Sequence, residues 1–451
     1  MLWRFALSLP LIVSLCAALS AGPTTKPTSN PVDENGLPMP LTLAQEQQKA
    51  GQPLAQYVEL LKRERDYDAS KMWRDVYWDI RGTRASFLGD QLDAQACFDR
   101  VERAHNNKEV ESSPIDNMKP TDAAQYILSV ADQHQVIMLS ERHHVPQTRI
   151  VSIQLLQGLW DKGFRYLALE TLDNRPDTMD KTINQRTYPT MQTGFYTQEP
   201  VFGELVRQAR KIGFTVVAYE ANEALSVPHD PENPNKRQNA REREEAENIK
   251  KNILDVDPKA KIFVHCGMGH ASKHKGHDDT GGKGEPWVAM ARWFWDITGI
   301  EPFTIDEQSN LYERTRRDLE MGIYRYAIDK SVVDGPSVFV GDDGQPFTLL
   351  PGSYDVSVFL PRVKYESGRP DWMAGELTRT PTKIPPELLK GEGIRLVQAI
   401  YANEPDDAVP ADQIVVRPGQ DVPVLMLPKG SFKLRTWDET GKVVATGKID
   451  V

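Results

Sequence analysis

The sequence predicts an α/β fold: a mostly parallel sheet flanked by helices, preceded by a helical segment and followed by a C-terminal β-sandwich-like domain. Three observations carry this. Between residues 136 and 305, short apolar runs alternate with stretches of helical periodicity, the rhythm of a parallel sheet with right-handed crossovers. Three of those runs end in a glutamate. Beyond 329–336 the texture changes to runs that alternate or are β-branched, punctuated by Pro and Gly.

The chain has 451 residues, 39% of them apolar and 26% charged, an ordinary globular composition with ample core for several domains. The net charge of -10 argues against a nucleic-acid partner, because phosphate binding wants a basic surface. The first 21 residues predict a secretory signal peptide: Arg4, an apolar run over 5–19, and small residues at Ala18, Ser20 and Ala21. A lipoprotein anchor at Cys16 is the weaker alternative, since Leu15 is too large for the residue that precedes a lipidated cysteine. Export to a bacterial periplasm is the expected location, and no later apolar run is long enough to cross a bilayer. Cys97 and Cys266 then remain, either as one disulfide or as two buried thiols.

Residues 22–53, rich in Pro, Thr, Ser, Asn and Gln, read as an exposed tether. Residues 54–120 read as a helical segment packing on the core. In it Tyr57, Leu60 and Leu61 repeat at helix spacing, as do Met72, Val76 and Ile80. A turn over 116–120 and a cap at Thr121 would start a helix over 122–131. The α/β domain spans 121–330. Its strands are expected at 136–139, 164–169, 214–219 and 261–264, with a possible fifth at 302–305. Helices at about 146–162, 202–212, 240–254 and 287–298 connect them; Gly163 and Gly213 close the first two. Two polar insertions, 173–197 and 221–239, are too long for simple loops and suggest a lid or rim. Residues 338–451 form the β-rich domain, with a hairpin turn at 438–441.

The chemistry-bearing pattern lies at the strand ends. Glu141, Glu170 and Glu220 close the first three strands, and His265 and His270 flank a Gly267-Met268-Gly269 loop after the fourth. In a parallel sheet these ends share one edge, where open α/β folds keep their ligand crevices. Six of the nine histidines (His143, His144, His265, His270, His274 and His277) fall in two segments. Carboxylates with imidazoles suit a divalent metal (Zn, Mn or Fe), with Glu141, His143, His144, Glu170 and His270 as ligands. Such a metal would acidify a bound water. Without one, Glu and His make an acid/base pair. The bland readings are a helix cap or ion-pair partner for each Glu, a mobile loop for His274 and His277, and rim packing for Tyr188 and Tyr196. The run 241–246 reads as a solvated helical face with i, i+4 pairs.

At Glu141-Arg142-His143, taken with Glu170, Glu220 and Gly269-His270, the chain resembles the ChaN/erythromycin-esterase/TraB-Tiki superfamily. His143 satisfies the Glu-x-His spacing of ChaN, and His144 the Glu-x-x-His spacing of the esterases, so either imidazole fits. Arg241-Glu242 stands where that family carries an Arg-Asp/Glu pair, and Ser140 replaces its usual Gly. The resemblance covers about residues 120–305. It implies an exported metal-dependent hydrolase of an ester or peptide bond, acting on a small-molecule or peptide substrate, with catalytic Glu141, His143, Glu220 and Arg241. The alternative it implies is a periplasmic haem- or iron-binding uptake protein. Oligomeric state is not legible in the sequence.

Overall fold

The computed structural model describes residues 32–33, 35–40, 53–101, 108–276, 282–310, 316–331 and 333–451. The expected signal peptide, Cys16 and His277 lie outside the described residues. No helix among those described is long and apolar enough to cross a membrane.

Among the described residues, four helices come first: α1 (Pro53–Lys62), α2 (Glu64–Asp68), α3 (Arg74–Phe87) and α4 (Gln91–Asp99). They share a core of Leu60, Tyr67, Trp73, Tyr77, Trp78 and Phe98. The described part of the expected tether is not free of them. Asp33 accepts from Ser70 Oγ at 2.6 Å, and Tyr67 and Trp73 donate to the carbonyls of Pro38 and Leu37. The polar composition of that stretch supplies backbone and side-chain acceptors for these aromatic donors, so composition alone misjudged it.

Next come β1 (Met118–Asp122), α5 (Ala123–Val130), β2 (Val136–Ser140), α6 (Arg149–Asp161) and β3 (Phe164–Leu169). The chain continues through α7 (Pro200–Ile212), β4 (Thr215–Ala218), α8 (Lys236–Ile249), β5 (Lys261–Cys266), α9 (Met290–Thr298) and β6 (Phe303–Asn310). Of the turn expected at 116–120, the first two residues close a 3-10 turn (Pro114–Asn117) and the rest belong to β1; the cap of α5 is Asp122, whose carboxylate accepts from Gln125 N at 2.7 Å. A carboxylate one residue later out-competes the Thr121 hydroxyl because the preceding residues are held extended against another strand. Pro146 opens a short 3-10 turn before α6. Gly163 and Gly213 end α6 and α7 with positive φ, which a side chain would resist.

The remaining elements are α10 (Gly322–Lys330), β7 (Ser337–Gly341), β8 (Val356–Phe359), β9 (Tyr365–Glu366), β10 (Arg369–Pro370) and α11 (Trp372–Gly375). After them come β11 (Thr380–Thr382), β12 (Arg395–Tyr401), β13 (Asp412–Val416), β14 (Leu425–Leu427), β15 (Ser431–Trp437) and β16 (Val443–Asp450).

One eight-stranded sheet runs β1-β7-β8-β6-β2-β5-β3-β4, and it is parallel from β8 to β4. The class is α/β. Strand β7 pairs antiparallel with both β1 and β8, so residues 337–359 belong to this sheet, and a boundary at 338 cuts through it. Their β-branched, Gly-punctuated texture is that of sheet edge as much as of a separate β domain. The C-terminal strands from β11 onward are antiparallel. They form a four-stranded sheet β13-β12-β15-β16 and a two-stranded β11-β14, sharing a core of Val397, Leu425, Leu427, Phe432 and Leu434. The hairpin turn stands where expected, with Asp438 accepting from Thr440 N and Lys442 N and Gly441 at φ 77.

Strand β5 sits between β2 and β3, so the chain order reverses there. Side chains alternate across the sheet: Ile137, Leu139, Phe263 and Ile305 enter one core layer, Met138, Val264 and Cys266 the other. Cys97 and Cys266 are both buried free thiols.

Candidate functional site

The C-terminal ends of β2, β3 and β5 bring Glu141, Glu170, His265 and His270 to one edge. Register explains it: Leu139 pairs with His265 and Ser140 with Cys266, while Leu169 also pairs with His265. Glu141 and Glu170 therefore flank the end of β5, and Glu220 stands two residues past β4. All three carboxylates are buried, and each meets a buried arginine.

Around Glu141, Arg149 Nε lies 2.8 Å from Oε2 and Arg149 Nη2 donates to Oε1 at 3.0 Å. The same guanidinium reaches Glu199 at 2.9 Å. His143 Nδ1 is 2.8 Å from Glu141 Oε1 and His265 Nε2 is 3.2 Å from Oε2. Ser152 Oγ holds His265 Nδ1 at 2.8 Å. Burial works against an ionised Glu141, but Arg149 and His265 outweigh it and hold the carboxyl well below the ordinary range.

The second cluster centres on Arg241 of α8. Its Nε and Nη2 grip Glu220 at 2.9 and 2.7 Å, and Nη2 also reaches Glu170 at 3.0 Å and Glu245 at 2.9 Å. His270 Nδ1 lies 2.8 Å from Glu242 and 3.3 Å from Glu245; its Nε2 lies 3.4 Å from Glu170. Burial depresses the imidazolium, yet Glu242, Glu170 and Glu245 together raise His270 well above the usual imidazole value. Glu170 stays low against burial through His270, His143 and Arg241. Glu245 goes the other way: burial, with Glu220 beside it, pushes it up to about 8.

His143 joins the two clusters. Its Nδ1 faces Glu141, its Nε2 is 3.9 Å from Glu170 Oε1, and its ring stacks on Tyr196 with centroids 3.7 Å apart. The side chain is 14% exposed, more open than those of Glu141 and Glu170. Gly267 packs directly beneath it: a Cβ there would fall 2.2 Å from His143 Nε2 and 3.0 Å from Glu170 Oε2. Gly267 N donates to Glu170 Oε2 at 2.5 Å. His144 turns elsewhere and stacks on Phe98 of α4, centroids 3.4 Å apart.

Of the residues expected in the site, Glu141, His143, Glu170, Glu220, Arg241 and His270 form one connected network, and His144 packs on the helical segment. The run 241–246 is no solvated face: Arg241, Glu242 and Glu245 are buried and only Arg243 is fully exposed. Spacing at i, i+1 and i+4 puts those three on the stripe facing the sheet edge. Arg149, Glu199, Ser152, Glu245 and Glu307 are not among the expected residues, and Glu242 is expected only through the Arg-Asp/Glu pair of the resembled family. The Arg149 signal was an arginine within the apolar stripe of α6. Glu307 lies in the polar half of β6; it is buried, and neither carboxylate oxygen has a hydrogen-bond partner among the described residues. Burial first, then Glu141 and Asp306, push its carboxyl well up.

A metal held by Glu141, His143, His144, Glu170 and His270 together does not fit this arrangement: Arg149 stands on Glu141, Arg241 on Glu170, and His144 packs away on Phe98. Among the described residues, the group within metal-ligand reach is Glu242, Glu245 and His270, whose donor atoms lie within 4.8 Å of one another. Its mixed O/N donors suit zinc, manganese or iron.

No protein-family model matches the chain, and no curated protein matches it. Among solved structures, the type III effector HopBA1 is similar at 13% identity over 44% of this chain and 89% of its own, with a TM-score of 0.29. ChaN of Campylobacter jejuni, described with cofacial haem binding, matches with the same identity, coverage and TM-score. RRSP, a MARTX toxin effector domain from Vibrio vulnificus, matches at 16% identity over 63% of this chain and 48% of its own, TM-score 0.29. Similarity at that TM-score carries no inference about activity.

Proposed function

We propose that the chain is a hydrolase of ester or peptide bonds in which His143 is the general base and Glu141 its orienting carboxylate. The observation that carries this is the 2.8 Å contact between His143 Nδ1 and Glu141 Oε1. An ionised Glu141 accepts the Nδ1–H, which selects the tautomer with a lone pair on Nε2. That atom would take a proton from water as the water attacks a carbonyl carbon. Arg149 helps keep Glu141 ionised and in place, and Arg241 holds Glu170 and Glu220 in position. The positive charge of these two arginines stands in for the cation of a metal-bound site.

The test is hydrolysis of a panel of p-nitrophenyl esters and fluorogenic peptides by the wild-type chain, with and without chelator, alongside His143→Asn and Glu141→Gln. Turnover that resists chelation and falls in both variants supports the reading; turnover indifferent to both substitutions removes it.

A second reading is favoured by the Glu242–Glu245–His270 group. These three residues would hold a divalent metal, which when bound would supply Lewis acidity. In that case, protein purified without a histidine tag carries near-stoichiometric metal that His270→Ala loses. The haem-binding alternative predicts a Soret shift on haem titration, and the absence of one removes it. Export by the N-terminal 21 residues, and a periplasmic site of action, remain part of the proposal and are tested by fractionating cells that express the full chain.

A further inference from the structure

Tyr196 covers the face of His143, and the segment that carries it is fastened from outside the α/β unit. Residues 188–198 contain one 3-10 turn, Tyr196–Gln198, and otherwise no regular structure. Thr190 forms an antiparallel bridge with Ala408, flanked by Met191 N to Asp407 O at 2.9 Å and Val409 N to Pro189 O at 3.0 Å. The loop bearing Ala408 is itself clamped to α7. Arg207, fully buried, donates to Glu404 Oε1 at 2.9 Å and Oε2 at 2.7 Å, and also to the Val409 carbonyl. Gly203 of α7 allows this approach, since a Cβ there would lie 2.7 Å from Val409 Cγ1. Gln198 Nε2 ties the turn back to the Met191 carbonyl at 3.1 Å. At its other end the segment hangs on Thr171, whose hydroxyl accepts from Tyr196 N at 2.8 Å.

Two features mark how this segment is seated. A small cavity lies behind it, lined by Met191 and Gln198 of the segment and by Arg84, Phe87 and Gln413 of the surrounding elements. Gly194 bridges Leu172 and sits where a Cβ would fall 2.3 Å from Thr171 O, so only a residue without a side chain lets the segment close this tightly beside the site. With Tyr196 in place, one face of the His143 ring is shielded from solvent.

We propose that residues 404–409 of the C-terminal unit are a latch: their pairing with Pro189–Met191 holds Tyr196 down on His143, and release of that pairing opens His143 to substrate. The meaning of the latch for turnover rests on His143 as the base; its existence does not. Lids of this kind admit substrate and then exclude water.

The flanking hydrogen bonds make Thr190 and Ala408 a non-hydrogen-bonded antiparallel pair, the geometry with the closer Cα atoms and within reach of a disulfide. The experiment uses the full chain carrying Thr190→Cys with Ala408→Cys, and separately Glu404→Gln. The readout needs no substrate: the rate of carbethoxylation of His143 by diethylpyrocarbonate, followed by tandem mass spectrometry of the tryptic peptide that begins at His143. His229, which is exposed, serves as the internal reference. We expect the oxidised pair to slow His143 about tenfold relative to the reduced form, and Glu404→Gln to quicken it severalfold over wild type, with His229 unchanged. Equal His143 rates in the oxidised and reduced forms overturn the proposal whatever Glu404→Gln does. A cysteine pair that fails to oxidise overturns it too, because the bridge is then not formed in solution. A latch confirmed in this way, with no hydrolysis of any substrate, would sink the proposed reaction and leave the latch standing.

Discussion

Arg241 and Glu220 are joined by two parallel hydrogen bonds, 2.9 and 2.7 Å, in a site from which water is nearly excluded. The Nη2 that bonds Glu220 also lies within reach of Glu170 and Glu245, and Nη1 on the other edge of the fork faces His270 Nε2 at 3.3 Å. Removing the guanidinium would strand three carboxylates. Arg241→Met should therefore destabilise the chain by about 3–5 kcal/mol, the usual cost of breaking a buried ion pair from one side. Arg241→Lys should recover little, because an ammonium cannot reproduce the bidentate contact. Urea denaturation followed by circular dichroism measures both; a Lys variant as stable as wild type would contradict the fork.

The Glu141–His143 contact makes a sharper demand on activity than on stability. His143→Asn should lower turnover by about two to four orders of magnitude, the range for loss of a positioned base, while leaving the far-ultraviolet dichroism unchanged. His144→Leu should leave turnover within severalfold of wild type, since that ring packs on Phe98. Steady-state kinetics on the best substrate of the panel separates the two. A reversal of their order would mean that the adjacent histidine is the functional one.

Gly267 provides a test that adds atoms instead of removing them. A methyl group there would stand 2.2 Å from His143 Nε2, so the imidazole has to move or the loop has to shift. Gly267→Ala should cost about 1–3 kcal/mol, as overpacking does, and reduce kcat more than it raises KM. Unfolding and kinetics on the same preparation check it; an active, equally stable variant would show that Nε2 does not sit over this glycine.

How far the site was legible depends on how local its causes are. Glu141, Glu170 and Glu220 could be read because each terminates its own apolar run, and a strand end declares itself within a few residues. Glu245 could not, and Glu242 only through the resembled Arg-Asp/Glu pair, because a helix rich in Arg and Glu looks solvated until one knows which stripe it turns to the sheet. Their burial is decided by Glu170 and His270, which are distant in sequence. Glu307 failed for a related reason: the apolar signal of β6 stops at Ile305, whereas the strand continues to Asn310. Likewise Val338 and Val356 read as β domain because strand texture is local and strand partners are not. The sequence already puts His143 slightly ahead of His144; what it does not show is that His144 packs away on Phe98 while His143 faces Glu141.

Glu245 is pushed up to about 8 by burial and by Glu220, while His270 is held up by the carboxylates around it. Two cations, Arg241 and His270, face four carboxyl groups, Glu170, Glu220, Glu242 and Glu245, so one carboxyl keeping its proton is the cheaper arrangement. The sign comes from proton counting. Between the ordinary glutamate value of about 4.3 and about 8, the folded chain binds a proton at Glu245 that the unfolded chain has released, so this group's contribution to stability falls as pH rises through that window. His270 adds a loss at higher pH, since its raised value contributes stability below about 6.5 that disappears as pH climbs through the folded value. Glu141 and Glu170 act in the opposite sense and lose their contribution only as pH falls below the glutamate range. Glu245→Gln keeps the shape of the neutral acid and cannot ionise. Its melting temperature should therefore gain on wild type between about pH 5 and about pH 8.5, by several degrees if the window is as wide as stated. Differential scanning calorimetry at both pH values decides it: a gap that stays constant or moves toward wild type would mean that Glu245 is ionised beside Arg241 and that the extra proton resides elsewhere in the cluster.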